Sequence, residues 1–257
     1  MTNRQTSKPT AVRIIGSYLS PYTRKALVVL DLKGIPYTID PMIAFYGNDE
    51  FSKMSPVRRV PVLIDGDTTV TDSTIVIEYL EEVYPEPSVY PKNPADRARA
   101  RWLEEYADSR LQEVCMAHFV NQMTINPLVW GEEPDAMIVE RAKSEELPHV
   151  LNYLEGELPE SGFLFEKLSV ADIAIAAFFR NPGLLGFEID ASRWPKSAAF
   201  VDRVLALDSF KKLLPFEQKL METMPAGHWD ALAQMGAPLV PESLGTDTPR
   251  RGVLVLR

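Results

Sequence analysis

Four prolines fall within residues 85–94, PEPSVYPKNP, and the hydrophobic pattern of the chain differs on either side of them. Proline fixes φ and removes a backbone donor, so such a stretch extends neither a helix nor a strand ladder and reads as a linker. Before it, strand and helix patterns alternate. VRII (12–15) reads as a strand, residues 20–33 as a helix and YTID (37–40) as a second strand, an order that calls for parallel strands. VPVLIDGDTTVT (60–71) reads as a hairpin turning at Asp65-Gly66. STIVIEYLEEVYP (73–85) sets Val76, Tyr79, Leu80 and Val83 on one helical stripe that Pro85 stops. Past the linker, 95–123, 135–158, 170–180, 195–207 and 208–220 read as helices, with NPLVWGEEP and RNPGLLG as breakers and Pro215 interrupting the last. The expected fold class is α/β plus all-α: β-α-β then β-β-α over 11–86, an all-helical domain over 95–221, and an extension over 222–257. That extension has no clear period and is too short to bury a core of its own, so Trp229, Leu232, Leu239 and Val240 are expected to anchor it on the body.

Composition narrows the function. Hydrophobic residues make up 46% of the 257 and charged residues 25%, as in ordinary globular domains. A formal net charge of −9 speaks against a nucleic-acid partner, which needs a basic face. The opening MTNRQTSKPT lacks the apolar core of a signal peptide, and no run approaches a membrane span, so the expectation is a cytoplasmic protein with no membrane partner. Cys115 is the only cysteine, which excludes an intrachain disulfide or a CxxC pair. His118, His149 and His228 lie far apart, and no metal is expected.

Two helix starts stand out. In SPYTRK (20–25), Ser20 is a good N-cap, Pro21 suits the first helical position and Gly34 falls where a left-handed residue ends the helix. Capping alone accounts for the stretch, although a helix N-terminus also suits a negative charge. In LSVADIAIAAFF (168–179), Ser169 and Asp172 form a capping box, Leu168 and Ile173 a hydrophobic staple, and the apolar run predicts a buried central helix.

SPYTRK, VPVL, the Asp72-Ser73 pair, SVAD and ALDSFKKLL (206–214) occur in an order and at separations that resemble the cytosolic glutathione transferases, serine-type and bacterial-like, over about 12–220. The resemblance implies a thioredoxin-like N-terminal domain packed on the helical one, a cis Val60–Pro61 bond, and glutathione as co-substrate. It implies that Ser20 donates a hydrogen bond to the glutathione sulfur, with Ser17 and Tyr18 as alternative donors. It assigns the γ-glutamyl end to Asp72 and Ser73 and the cysteinyl backbone to Val60 beside Pro61. Arg59 is either a contact to the tripeptide or a solvated charge, and Arg24 is a structural or surface charge. The sequence departs from the family at 56–59, PVRR, which lacks the usual glycine, and in the loop 42–54, where Tyr46 stands near a common Lys or His contact to the glycyl end.

Tyr18, Tyr22, Phe45, Trp102 and Tyr106 are candidate walls of an acceptor pocket. Conjugation of glutathione to a small apolar electrophile is the first functional reading. Thiol-disulfide exchange would need a thiol in place of Ser20, and Cys115 reads as a packed hydrophobe. A non-catalytic binding or partner protein is the alternative. The resemblance further implies a homodimer, with Arg97, Arg99 and Arg101 facing Glu78, Glu81 and Glu82 across it.

Overall fold

VRII forms β1 (Val12–Ile15) and YTID forms β2 (Tyr37–Asp40), paired in parallel with Val12 opposite Tyr37 and Ile15 opposite Asp40. This is a computed structural model describing residues 11–252, so the polar opening decapeptide and the last five residues lie outside the described residues. Helix α1 (Pro21–Leu32) joins the two strands. It ends as Gly34 takes φ 64, with Gly34 N–H donating to Asp31 and Ile35 N–H to Leu30, at 3.0 and 2.9 Å. These paired bonds are a Schellman termination, which a left-handed glycine permits.

The segment around 42–54 is not an open loop. It holds a 3₁₀ turn (Ala44–Tyr46) and α2 (Asp49–Met54), where Asn48 accepts from Phe51 N–H at 3.0 Å. An element of six residues is too short for a period to reveal it. The hairpin strands β3 (Val62–Asp65) and β4 (Thr68–Thr71) pair antiparallel, giving the sheet order β2-β1-β3-β4. Asp65 pairs with Thr68, so the turn residues are Gly66, at φ 58, and Asp67, one place later than expected. Helix α3 (Ser73–Val83) buries Val76, Ile77 and Leu80.

A continuous helical rod follows the linker. Asn93 caps α4 (Pro94–Tyr106), the hydrogen bonding widens to the π pattern over Ala107–Val120, and α5 (Asn121–Met123) ends the rod. A π-type stretch, Asn126–Trp130, stops at left-handed Gly131. Then come α6 (Ala136–Arg141), a π turn (Ala142–Glu146) and α7 (Leu147–Glu157).

Helix α8 (Val170–Leu184) is buried from Val170 through Pro182 and forms the centre of the helical domain. Asp172 accepts from Ser169 N–H at 2.8 Å and Ser169 Oγ–H at 2.6 Å, closing the box. The helix runs past the expected stop at 180 because Pro182 lies in its last turn, where one missing donor costs little against packing on all sides. Helices α9 (Pro195–Leu205), α10 (Asp208–Lys211) and α11 (Leu214–Met221) follow, and the extension adds α12 (His228–Gln234). One apolar core runs from β1 and α1 through α8 into α9 and α11, so the two domains share it.

Candidate functional site

Ser20 holds φ −76 and ψ 121, and its Oγ accepts from Thr23 N–H at 3.3 Å, so it is the N-cap its sequence describes. That bond uses a lone pair and leaves the hydroxyl proton for another partner. The turn leading to it is tightly seated. Gly16 has φ 150, and a Cβ there would meet Thr23 Oγ1 at 2.3 Å and Val60 Cβ at 3.1 Å. Only glycine lets β1, the first turn of α1 and Val60 approach this closely. The Val60–Pro61 bond is cis.

Asp72 caps α3 from φ 78 and ψ 138, accepting from Thr74 N–H at 2.9 Å and Ile75 N–H at 3.4 Å. A non-glycine residue held there stores strain, as functional sites often do. Next to it, Ser73 is buried, and its Oγ has no hydrogen-bond partner among the described residues. Ser17, Ser20, Val60, Asp72 and Ser73 open on one cavity of about 620 Å³, together with Tyr22 and the exposed Arg59, and Phe45, whose ring meets Trp130 at 5.1 Å, bridges this side to the opposite one. The opposite side of that cavity is Met116, Val120, Ile125, Leu128 and Leu220.

The other candidate residues are placed elsewhere. Tyr18 is fully buried, stacked on Phe216 at 4.9 Å between centroids, and burial drives its phenol well above the usual range. It packs the core behind the turn and does not line the cavity. Trp102 is exposed and donates to Tyr153 Oη at 3.2 Å, while Tyr106 packs on Tyr153, and neither lines the cavity. Both meet Tyr153 of α7. Tyr46 is held by its carbonyl, which accepts from Thr246, and it does not line the cavity. Pro61 is buried and does not line the cavity. Cys115 is wholly buried, burial pushes its thiol up to about 12, and it is an apolar packing residue.

Charges the sequence left undecided turn out to be built in. Arg24 has no exposure and is no surface charge: its Nε donates to Glu217 at 2.5 Å, and its terminal nitrogens donate to Ala177 O, Tyr18 O and Asn181 Oδ1. Asn181 in turn donates to Leu19 O at 2.7 Å, and Arg180 faces Glu217 at 3.3 Å. This buried group fixes the two carbonyls before Ser20.

Lys25 is likewise buried and meets Asp108 at 2.5 Å and Glu104 at 3.0 Å, with Thr74 Oγ1 donating to Glu104. Burial pushes the Asp108 carboxyl up to about 6 despite Lys25, and for Lys25 the two carboxylates outweigh burial and raise its pKa. Tyr22 donates to Asp108 O at 2.9 Å. Arg58, not Arg59, organises the 44–52 segment, donating to Gly47 O at 2.9 Å and Ser52 Oγ at 2.5 Å. Glu104 and Asp108, four apart on an otherwise apolar stripe, were the visible signal for a buried partner. Arg58 gave none. Among the charged run, Arg101 reaches Glu78 at 3.0 Å within one chain and Glu81 meets Lys33 at 2.7 Å.

Among the described residues no helix is long and apolar enough to cross a membrane, and no group of three His, Cys, Asp or Glu is placed to hold a metal.

A mixed four-stranded sheet with its helices thus shares one apolar core with an all-helical domain, and the cavity opens between the sheet-domain turns and the helices. The glutathione S-transferase N-terminal domain family matches residues 14–88 and the C-terminal domain family residues 116–208. A probable glutathione S-transferase of Nicotiana tabacum is 27% identical over 240 residues, 88% of this chain and 98% of its own. A glutathione S-transferase structure from Rhodospirillum rubrum superposes with a TM-score of 0.72 at 27% identity, covering 79% of this chain and 91% of its own. FzlA from C. crescentus shares the fold, with a TM-score of 0.74 at 20% identity over 80% of this chain and 92% of its own. The chain belongs to the glutathione S-transferase family and is an enzyme of that family.

Proposed function

We propose that this transferase ionises glutathione at Ser20 and conjugates it to a small apolar electrophile. One observation carries the reading. The buried, unpartnered hydroxyl of Ser73, at the N-terminus of α3, opens on the same cavity as Ser20 at the N-terminus of α1. An orphaned buried donor of this kind costs free energy unless a ligand satisfies it. The γ-glutamyl carboxylate fits the Ser73 hydroxyl at the positive end of α3, and the ammonium fits Asp72. Val60 presents backbone to the cysteinyl unit, Arg59 reaches the glycyl carboxylate, and the segment holding Tyr46 lies beyond.

The sulfur then sits at the α1 N-terminus, where the free Ser20 proton and the helix field favour thiolate over thiol. The thiolate lone pair forms an S–C bond as the leaving group departs with its electron pair. The residues 11–86 act as the glutathione-binding domain and 95–221 as the acceptor domain, within a cytoplasmic homodimer. In the alternative, a non-catalytic binding protein, glutathione would bind without a lowered thiol pKa.

Ultraviolet titration of the bound thiol separates the two. Ser20→Ala is expected to raise the bound pKa and lower kcat with little change in glutathione affinity. A bound thiol pKa in the wild type equal to that of free glutathione would remove the catalytic reading. If Ser17→Ala raises it and Ser20→Ala does not, the donor is Ser17.

A further inference from the structure

The extension after α11 does more than anchor on the body. Pro238 O accepts from Ile39 N–H at 2.8 Å and Val240 N–H donates to Ile39 O at 3.0 Å, so the tail adds a short parallel pairing to the free edge of β2. Buried Asp40, at the end of that strand, accepts from Ser243 Oγ at 2.8 Å and Leu244 N–H at 2.7 Å. The tail then turns onto the 44–49 segment. Leu244 O accepts from Asn48 N–H at 2.8 Å, Thr246 N–H donates to Tyr46 O at 2.7 Å, and Arg250 N–H donates to Phe45 O at 2.7 Å. Arg250 also pairs with Asp49 at 2.5 Å.

Arg251 carries the contact across to the helical domain. It pairs with Glu132, and its guanidinium lies 4.6 Å from the Trp130 ring centroid. The Trp130 ring in turn meets Phe45 edge-on at 5.1 Å. Phe45 is a wall of the cavity, and Gly252, the next residue of the tail, lines it too. Phe45 is therefore fixed three ways: through its carbonyl by Arg250, through its ring by Trp130, and through Trp130 by Arg251.

We infer that residues 238–252 form a strap whose Arg250–Arg251 pair positions Phe45, so that the tail sets the size of acceptor this cavity takes. The inference rests on the acceptor site proposed above. Arg250 and Arg251 are positioning residues, since both act through Phe45 and Trp130. Releasing them lets the Phe45 ring swing away and widens the apolar end, while the α1 and α3 termini that face glutathione stay in place.

The test compares two apolar fluorescent probes, anilinonaphthalene sulfonate and its larger bis-dimer, titrated into the wild type, Arg251→Ala, Arg251→Lys, Phe45→Ala and a chain truncated after Leu244. Glutathione is titrated calorimetrically into the same samples. In Arg251→Ala and the truncated chain the affinity ratio of large to small probe is expected to rise about tenfold, within the range that modest changes in an apolar pocket produce. Phe45→Ala should raise it equally, Arg251→Lys should restore most of the wild-type ratio by keeping a cation over Trp130, and glutathione affinity should hold within about twofold in the two Arg251 variants. An unchanged ratio in Arg251→Ala, or equal losses for both probes, overturns the strap. Should the truncated chain fail to fold, the two point variants decide. A wild type that binds the probes but not glutathione would sink the proposed function and leave the probe ratio to judge the strap alone.

Discussion

The wall of the cavity supplied by the sheet domain ends in two helix N-termini, the hydroxyls of Ser17, Ser20 and Ser73, and a strained acidic cap at Asp72, whereas the facing wall ends in Met116, Val120, Ile125, Leu128 and Leu220. The first wall is a set of turns, each fixed by a short sequence signature. The second is where helices that pack the core happen to end. In the proposed reading, the polar wall of fixed donors takes the constant co-substrate and the apolar wall of generic side chains takes the acceptor. Two buried charge groups join the walls: Arg24–Glu217–Asn181 behind Ser20 and Lys25–Asp108–Glu104 behind α3. The contrast predicts that polar-wall changes act on glutathione and stability, and apolar-wall changes on the acceptor.

The largest effect is expected at Glu217. Glu217→Ala leaves Arg24 and Arg180 facing each other in the core, and breaking a buried pair this way costs about 3–5 kcal/mol. Urea denaturation measures it. A loss under about 1 kcal/mol would mean the network does not hold the polar wall together.

Asp108 comes next, and its effect depends on pH. Its carboxyl is raised from 3.8 to about 6 in the folded protein, by burial first, so folding takes up a proton between those values. The stability this group supplies is full below pH 3.8 and is lost as pH rises through about 6. A shift of this size corresponds to ~3 kcal/mol. Lys25 titrates far above this window and does not blur it. The unfolding free energy of wild type relative to Asp108→Asn should therefore decline from pH 4 to about 6. A flat difference would show that Lys25 holds Asp108 ionised throughout.

At Asp72 the strain and the cap can be separated. Asp72→Ala removes the cap and keeps an unfavourable positive φ, at a cost of about 1–2 kcal/mol. Asp72→Gly removes the cap but tolerates the backbone, so its cost should be only a few tenths of a kcal/mol. Both should weaken glutathione binding. Equal stability losses would mean that φ 78 stores no strain.

This asymmetry also governs what could be read from the chain. Ser20, the hairpin, Asp72-Ser73 and the Ser169–Asp172 box were legible because caps and turns are local: a residue and its partner lie within four positions. Tyr18, Trp102 and Tyr106, read as pocket walls, do not line the cavity, because aromatic identity does not say which face of a strand end or helix meets the core. Asp108 and Arg58 went unassigned because their partners, Lys25 and Gly47, come from other elements. The extension was opaque for the same reason. Its bonds to Ile39, Asp40 and Phe45 span about two hundred residues, a separation across which no periodicity operates.

The smallest effect tests the apolar wall alone, and Leu128 is the residue for it. Leu220 lines the same wall but is 2% exposed, so truncating it would open a core cavity at about 2–5 kcal/mol and confuse packing with binding. Leu128 is 41% exposed and sits on the short π-type stretch before Gly131, so Leu128→Ala should change stability by no more than about 0.5 kcal/mol. The methyl groups it loses would have covered an apolar acceptor, a contact worth about 1 kcal/mol, or roughly fivefold in KM. Steady-state kinetics with one aryl halide at varied glutathione, then at varied acceptor, reads the two walls separately. The expected pattern is a raised acceptor KM with unchanged glutathione KM, the reverse of what Asp72→Gly should give. If Leu128→Ala raises both constants together, the two substrates share one wall and the division between constant and variable halves of the cavity fails.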